Sequence, residues 1–187
     1  MRLFHFSEDP AITLFEPRQV RVAAERRAGW EWLNGPLVWA IDEPHSILYF
    51  FPRECPRIVV WPTDRSTEDD RLAWMGTTAA RAIAYVEKDW LTRLRGAAIY
   101  RYTLPPESFE DIVDVGMWVS RAPVLPTAVE TLTGLDRHLE EANVELRPLD
   151  DLTPLRTVWN STLHASGIRL RNARNWGAPG WPHSPPS

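Results

Sequence analysis

The fold that we predict for this chain is decided by residues 37–57, which read LVWAIDEPHSILYFFPRECPR. Residues 37–41 form a short apolar run that is typical of a buried strand. Asp42 can cap a helix that follows the strand, and Pro44 suits the first turn of that helix. Pro52 ends it, because proline cannot continue a helix. The segment therefore predicts a strand that leads into a short helix, and α/β folds commonly hold ligands at such a rim.

Further strands and helices are expected in irregular order along the rest of the chain. Alternating or β-branched apolar residues indicate strands at residues 2–6, 57–61, 98–104, 117–120, 124–132 and 144–149. Apolar spacings of three and four indicate a long helix at residues 67–94 and a short helix at residues 135–141. A last helix is expected after a cap at Asp150 or Asp151. One face of that helix would carry Leu152, Leu155, Trp159 and Leu163. Thr67 and Asp70 would cap the long helix, and Gly96 would close it.

The predicted fold class is α/β of the α+β type, because strands occur singly or in short pairs between the helices. We expect a single globular domain over residues 1–174, with a mixed or antiparallel split sheet and flanking helices. Within it, residues 18–34 are interpreted as a surface excursion of mixed structure. Residues 175–187 are rich in Pro, Gly and Ser, which predicts a flexible tail that includes Trp176 and Trp181.

The composition favours some classes of protein and excludes others. The chain has 187 residues, is 44% hydrophobic and carries a formal net charge of −4, so it can bury one core and has no general attraction for nucleic acid. Ten tryptophans are the anomaly, and most are expected in the core. A lone cysteine, Cys55, excludes an intramolecular disulfide and is interpreted as an inert core thiol. No leader and no apolar run of membrane-spanning length is present, so we expect a soluble cytoplasmic protein.

The first strand ends in His5, Phe6 and Ser7, a His-x-Ser motif, and about thirty residues later the strand with Trp39 runs into the helix with Tyr49. This order resembles the core of the ADP-ribosyltransferase fold, in which His-x-Ser or His-x-Thr ends one strand and a later strand leads to a helical tyrosine. The resemblance implies NAD as substrate or ligand and a core with a split sheet.

The same resemblance implies roles for individual residues. His5 and Ser7 would hold the ribose and the amide, and Trp39 and Tyr49 would stack on the nicotinamide ring. Either of two arginines, Arg18 or Arg53, would meet the diphosphate. His5 and Tyr49 would also belong to the catalytic set.

A third element of that family is a Glu or Gln that opens a later strand. The matching strand here begins Val115, Gly116, Met117, so the carboxylate is missing from the expected place. Asp114 lies just before the strand and Glu130 lies one strand later. A transferase would have to use one of these two carboxylates, and a rigid Met117 favours a binding protein without catalysis.

Each assignment has a structural alternative. His5 can be a hydrogen-bonded core histidine, Trp39 and Tyr49 can be core aromatics, and the arginines can form ordinary ion pairs. A metal site and a hydrolase triad around His45 are disfavoured, since zinc-like spacing and a Gly-x-Ser-x-Gly elbow are both missing. The arginines near the end, Arg169, Arg171 and Arg174 with Asn172, suit the end of the last helix as well as an anionic ligand.

A more extensive resemblance covers most of the chain. The segments LFHFSED, VWAIDE, FPR, CPRI and GIRLRN resemble an uncharacterised bacterial family, domain of unknown function 6886, and this implies no activity. The sequence thus predicts a protein that binds NAD or an ADP-ribose compound, with transferase-like or glycohydrolase-like activity left open. The alternative is a small-ligand-binding or structural protein without NAD chemistry. No metal is expected, and the oligomeric state is left open.

Overall fold

The computed structural model describes residues 1–20, 23, 26 and 28–177. The chain divides into two compact units, each made of two separate stretches of sequence. Unit 1 consists of Met1–Tyr49 and Ala98–Leu132, and unit 2 consists of Phe50–Ala97 and the chain from Thr133 onward. Each unit contains one β-sheet. The predicted α+β class is confirmed, and the expectation of a single domain stays a prediction.

The elements alternate irregularly along the chain, as the sequence predicts. In the described part of the chain the strands are β1 (Leu3–Ser7), β2 (Val38–Asp42), β3 (Arg57–Trp61), β4 (Ala82–Glu87), β5 (Ala98–Leu104), β6 (Glu110–Asp111), β7 (Met117–Ser120), β8 (Ala128–Thr133), β9 (Val144–Leu149) and β10 (His164–Ile168). The α-helices there are α1 (Glu68–Met75), α2 (Leu91–Gly96) and α3 (Leu135–Glu141). Short 3-10 turns cover Glu31–Asn34, Ser46–Tyr49, Lys88–Trp90, Pro106–Ser108, Thr153–Leu155, Val158–Asn160 and Leu170–Asn172.

The sheet of unit 1 has the strand order β6-β7-β2-β1-β5-β8. Strand β1 runs antiparallel to both β2 and β5. Its ladder with β5 extends to the pair Ser7↔Tyr100, whereas its ladder with β2 covers Leu3↔Asp42 and Phe4↔Ile41 and stops there. Strands β1 and β2 therefore diverge beyond Phe4, which opens a gap between two neighbouring strands at the level of His5.

The two faces of this sheet carry different residues, because side chains alternate along a strand. Leu3 packs in a core cluster with Ala40 and Tyr102, and His5 shares this face because it is two residues further along β1. Trp39 packs on the opposite face against a second cluster that contains Val119. The predicted site residues His5 and Trp39 thus belong to opposite faces and approach each other only at the gap.

The sheet of unit 2 has the strand order β10-β3-β4-β9. Strand β3 is antiparallel to β10 and β4, and β9 is parallel to β4, so this sheet is mixed. All six residues of β4 are buried. Its side chains Ile83 and Tyr85 join the core of the unit together with Leu152, Val158 and Trp176. Trp176, which the sequence placed in the tail, is therefore a core residue, because its ring packs against this cluster.

The long helix predicted over residues 67–94 is wrong. Helix α1 ends at Met75, and Gly76 follows with φ 72°, outside the helical region. Residues 82–87 form a strand instead. A strand that is buried on both faces is apolar throughout, so its residues also fit a helical spacing, and this explains the wrong prediction. The predicted cap by Thr67 is confirmed, since Thr67 Oγ1 accepts a hydrogen bond from the Asp70 N–H at 3.3 Å. The second bond of a capping box is replaced, because the Thr67 N–H donates to Thr162 Oγ1 at 2.8 Å.

The last predicted helix is also wrong. Two 3-10 turns, Thr153–Leu155 and Val158–Asn160, precede the strand His164–Ile168, so Arg169 follows a strand and not a helix. The strand predicted at residues 124–132 begins later, at Ala128, and Val124 forms an isolated bridge to Phe15. The strands at 57–61, 98–104, 117–120 and 144–149 and the helix at 135–141 are confirmed. Parts of two predictions, Arg21, Glu25 and Arg27 of the surface excursion and residues 178–187 of the tail with Trp181, lie outside the described residues.

Candidate functional site

A small aromatic cavity lies in unit 1, beside the gap between β1 and β2. Its volume is about 60 Å³, and its lining residues are Phe4, His5, Phe6, Trp39, Ala40, Ile41, Tyr49 and Met117. Three residues that the sequence assigned to a ligand site, His5, Trp39 and Tyr49, are therefore brought together in one cavity wall.

His5 is held by the backbone of the neighbouring strand. Its ring Nδ1 lies 2.8 Å from the carbonyl oxygen of Trp39, and its ring centroid lies 4.7 Å from that of Phe15. A carbonyl oxygen only accepts, so Nδ1–H donates in this hydrogen bond. This hydrogen bond fixes the orientation of the ring, and it fits both the ligand-binding and the core interpretation of His5.

Tyr49 reaches the cavity because the turn after β2 forms as the sequence predicts. Asp42 Oδ1 accepts a hydrogen bond from the His45 N–H at 3.0 Å, and the short helix that follows is a 3-10 turn that ends at Tyr49. The tyrosine ring stacks on Phe6 with centroids 5.8 Å apart and planes at 9°. Its hydroxyl donates to Met117 Sδ at 3.7 Å. Tyr49 thus stacks on a phenylalanine that the sequence interpretation did not assign to the site.

The side chain of Trp39 forms another part of the cavity wall. It is half-buried, and the guanidinium of Arg26 lies 5.8 Å from its ring centroid. The wall thus consists of aromatic and aliphatic groups with one imidazole, and no carboxylate is among the lining residues. Such a wall can hold a flat ring and offers one polar group, His5, to orient it.

A polar corner stands at the end of β2. Asp42 Oδ1 lies 2.7 Å from His45 Nδ1, and the Asp42 N–H donates to the carbonyl oxygen of Gly116 at 2.8 Å. Gly116 has φ 71°, and two valines of the same loop, Val113 and Val115, have φ 54° and 37°. Positive φ is unusual for β-branched residues, and such strain is concentrated at functional or tightly packed sites.

The remaining site residues predicted in unit 1 lie outside the cavity lining. Ser7 is buried, and its hydroxyl accepts from the Asp9 N–H at 3.1 Å. The backbone of Arg18 forms an isolated bridge with Leu37. The two carboxylates, Asp114 and Glu130, are exposed.

The backbone carbonyl of Asp114 accepts from the Met117 N–H at 2.9 Å, and Glu130 forms an ion pair with Arg101 at 2.5 Å. Arg53 belongs to unit 2, where its carbonyl oxygen accepts from Arg169 Nε at 3.2 Å. Its role toward a diphosphate stays a prediction.

The sequence interpretation missed Phe6 and Met117 as members of the cavity wall. Phe6 lies between His5 and Ser7, and strict alternation places its side chain on the face that carries Trp39. Met117 was noted only as the residue in place of a carboxylate. Its position directly across from Ile41 in the β2–β7 ladder could not be inferred without the register.

Cys55 in unit 2 is fully buried. Burial raises the pKa of its thiol to about 12, so the thiolate is not formed at neutral pH. The structure therefore supports the interpretation of an inert core thiol. Within the described residues, no three His, Cys, Asp or Glu side chains are grouped so that they could hold a metal ion.

The fold and the cavity define an α+β protein with a small aromatic cavity in an antiparallel sheet. The chain belongs to a family of unknown function, DUF6886, whose model matches residues 4–173. No curated protein and no solved structure matches the chain, and the likeness to the ADP-ribosyltransferase core stays a prediction. None of the helices in the described part of the chain is long and apolar enough to cross a membrane.

Proposed function

We propose that unit 1 binds NAD or a related ADP-ribose compound through the flat nicotinamide or a similar ring, without transferring ADP-ribose. The observation that carries this proposal is the cavity wall in which Trp39, Tyr49 and Phe6 surround a single oriented imidazole, that of His5. Aromatic faces favour a planar partner, and each stacked pair contributes about 0.5–1.5 kcal/mol beyond the buried area. His5 is the polar group of this wall that would hydrogen-bond a hydroxyl or amide of the ligand.

The size of the cavity requires a side chain to move when the ring binds. Its volume of about 60 Å³ is well below the roughly 150 Å³ that admits benzene. Tyr49 is the side chain that we expect to move, because its ring is half-buried and the thioether sulfur of Met117 is a weak acceptor for its hydroxyl. The ring of the ligand then stacks between Tyr49 and Phe6, so that both aromatic faces contact it.

The absence of a carboxylate among the lining residues supports binding over transfer. An ADP-ribosyl transfer needs a group that stabilises the oxocarbenium-like centre and orients the incoming nucleophile. Asp114 and Glu130 are the two carboxylates that a transferase would have to use for this role, and Glu130 already pairs with Arg101 at 2.5 Å. Met117 occupies the wall where the resemblance expects the carboxylate.

The test is a thermal unfolding assay with NAD, ADP-ribose and nicotinamide at millimolar concentration. A ligand at a hundred times its Kd stabilises the folded protein by about 2.7 kcal/mol, which raises the melting temperature. His5→Ala and Tyr49→Ala should abolish the increase. Tyr100→Ala is the matched control, because Tyr100 is a half-buried tyrosine of unit 1 that packs against a core cluster and is not among the residues that line the cavity.

Two outcomes would contradict the proposal. If none of the three compounds shifts the melting temperature, unit 1 does not bind this class of ligand and the aromatic wall is only core. If NAD is consumed with release of nicotinamide, and Asp114→Ala or Glu130→Ala stops the release, the protein is a transferase or glycohydrolase and not a binder.

A further inference from the structure

Arg26 lies beside the wall of the aromatic cavity in unit 1. Its Cζ atom is 5.8 Å from the centroid of the Trp39 ring, and Trp39 lines the cavity. A guanidinium at this distance from an indole is attracted by the negative face of the ring. The contact therefore holds a positive charge next to the place where we propose that the ring of the ligand binds.

The guanidinium of Arg26 lacks the acceptor that a half-buried charge normally has. Arg26 is half-buried, and its Nε atom is buried without a hydrogen-bond partner among the residues that the structure describes. Among the same residues no carboxylate forms an ion pair with it. Buried polar groups in proteins are nearly always hydrogen-bonded, and an unsatisfied group is often explained by a bound ion or ligand. The observation points to an anion beside Trp39.

Other arginines of unit 1 that lie over aromatic rings have carboxylate partners. Arg121 is 4.6 Å from the centroid of a tryptophan ring and pairs with Glu110 at 3.1 Å. Arg101 is 4.8 Å from the centroid of a phenylalanine ring and pairs with Glu130 at 2.5 Å. The chain itself thus neutralises these two charges. An anion that binds next to Trp39 would give Arg26 the acceptor that the other two arginines already have.

The position of Arg26 indicates where the anionic group of the ligand must lie. Arg26 is not among the residues that line the cavity, whose volume is about 60 Å³. A carboxylate attached directly to the bound ring would stay inside this small cavity, so it would not extend to the guanidinium. The phosphate of a nucleotide is separated from its base by a ribose and projects away from the ring. A planar guanidinium also matches two oxygens of a phosphate with two parallel N–H groups.

We propose that Arg26 binds the phosphate attached to the ribose of the ligand, so that the site in unit 1 prefers a nucleotide to a nucleoside or a free base. The inference rests on the proposed function, because it requires the ring of the ligand to occupy the cavity. It assigns the phosphate to an arginine other than Arg18 and Arg53, for which the resemblance implies this role. Trp39 then has two tasks, since it forms part of the ring site and holds the guanidinium that meets the phosphate.

Isothermal titration of the full chain with two pairs of compounds tests the proposal. Nicotinamide mononucleotide and nicotinamide riboside differ by one phosphate, and AMP and adenosine differ in the same way. The second pair covers a ligand whose adenine ring enters the cavity. The parent chain should bind the nucleotide of at least one pair about tenfold or more tightly than its nucleoside, because the phosphate adds charge-assisted hydrogen bonds. In Arg26→Gln the two affinities should become about equal, with the affinity for the nucleoside unchanged.

Arg121→Gln is the matched control. Arg121 also belongs to unit 1 and lies over a tryptophan ring, that of Trp32, but it pairs with Glu110 and neither Arg121 nor Trp32 lines the cavity. This variant should keep the full preference for the nucleotide. Arg26→Lys should keep part of the preference, because lysine retains the positive charge and loses the planar pair of donors.

The outcomes separate this inference from the proposed function. If the nucleosides bind and the parent chain shows no preference for a nucleotide, the role of Arg26 is overturned and ring binding stands. The role is also overturned if Arg26→Gln weakens nucleoside and nucleotide binding equally, since Arg26 then only supports the cavity wall, or if Arg121→Gln removes the preference as fully as Arg26→Gln. If none of the four compounds binds at millimolar concentration, both proposals are wrong.

Discussion

Replacement of Gly116 by alanine should destabilise unit 1 strongly, because this glycine has both a special backbone conformation and no room for a side chain. Its φ is 71°. A Cβ atom at this position would lie 2.4 Å from His45 Nδ1 and 2.6 Å from Asp42 Oδ1. Real Cβ atoms do not approach other atoms so closely, so the Asp42–His45 contact must break or the loop must shift.

The expected loss follows from two separate contributions. A left-handed backbone conformation costs alanine about 1–2 kcal/mol relative to glycine. Overpacking of a tight site costs about 1–3 kcal/mol more, which gives a total of about 2–5 kcal/mol for Gly116→Ala. Gly29 isolates the first contribution, because it belongs to the same unit, has φ 84° and leaves open space, with no atom within 4 Å, for the Cβ of an alanine. Gly29→Ala should therefore cost only about 1–2 kcal/mol.

Urea unfolding of the parent chain and both variants, followed by tryptophan fluorescence, measures this difference. We expect Gly116→Ala to have the lower midpoint, with the gap between the variants equal to the steric contribution. An NMR spectrum of the His45 ring should change in Gly116→Ala and stay as in the parent in Gly29→Ala. Equal midpoints for the two variants would refute the reasoning, since the close contacts with Asp42 and His45 would then carry no energetic weight.

Three further outcomes are expected. The Cys55 thiol, whose pKa is raised to about 12 by burial, should resist a thiol-specific disulfide reagent in the native protein and react fully in denaturant; rapid labelling of the native chain would contradict its burial. Asp70→Asn should lower the stability at neutral pH, because hydrogen bonds from Thr162 to the Asp70 carboxylate lower the pKa of Asp70. This contribution is lost as the pH falls through the folded pKa, so the difference in urea midpoint between the parent chain and the variant should shrink in acid. A difference that stays constant from neutral pH down to about pH 3 would argue against this linkage. Tyr102→Phe should lower the free energy of unfolding in urea by about 1–3 kcal/mol, because the buried Tyr102 hydroxyl donates to the Asp9 carbonyl at 2.7 Å. An unchanged urea midpoint would contradict this, since it would show that the hydrogen bond to the Asp9 carbonyl contributes nothing to stability.

Local sequence patterns predicted the strands that have a turn or a proline on either side. The strand at 57–61 follows Pro56 and precedes Pro62, and its β-branched residues leave little choice of structure. The failures came where a buried segment fits two periods. Residues 82–87 are buried on both faces of a central strand, so Ile83 and Val86 match a helical spacing as well as a strand. Gly76, which ends the first helix, was the signal that should have divided the segment.

The candidate site was predictable only in part, because its members come from strands whose pairing is set by distant contacts. The order of His5, Trp39 and Tyr49 along the chain was sufficient to select these three residues, and the structure has all three in one cavity wall. The sequence does not show that the ladder between β1 and β2 stops at Phe4, and this stop is what opens the gap beside His5. Met117 enters the wall through its pairing with Ile41, which no local pattern encodes.

The interleaving of the two units along the chain constrains the order in which the protein can fold during synthesis. Unit 1 needs Ala98–Leu132 before its sheet can gain β5, β6, β7 and β8, and by then all of Phe50–Ala97 has left the ribosome. In unit 2, β4 must wait for β9, its parallel partner, which is made about sixty residues later. The nascent chain therefore exposes unpaired strand edges from both units at the same time. We expect a fragment that stops near residue 97 to aggregate or to require a chaperone, and expression of either unit as a single continuous segment to fail.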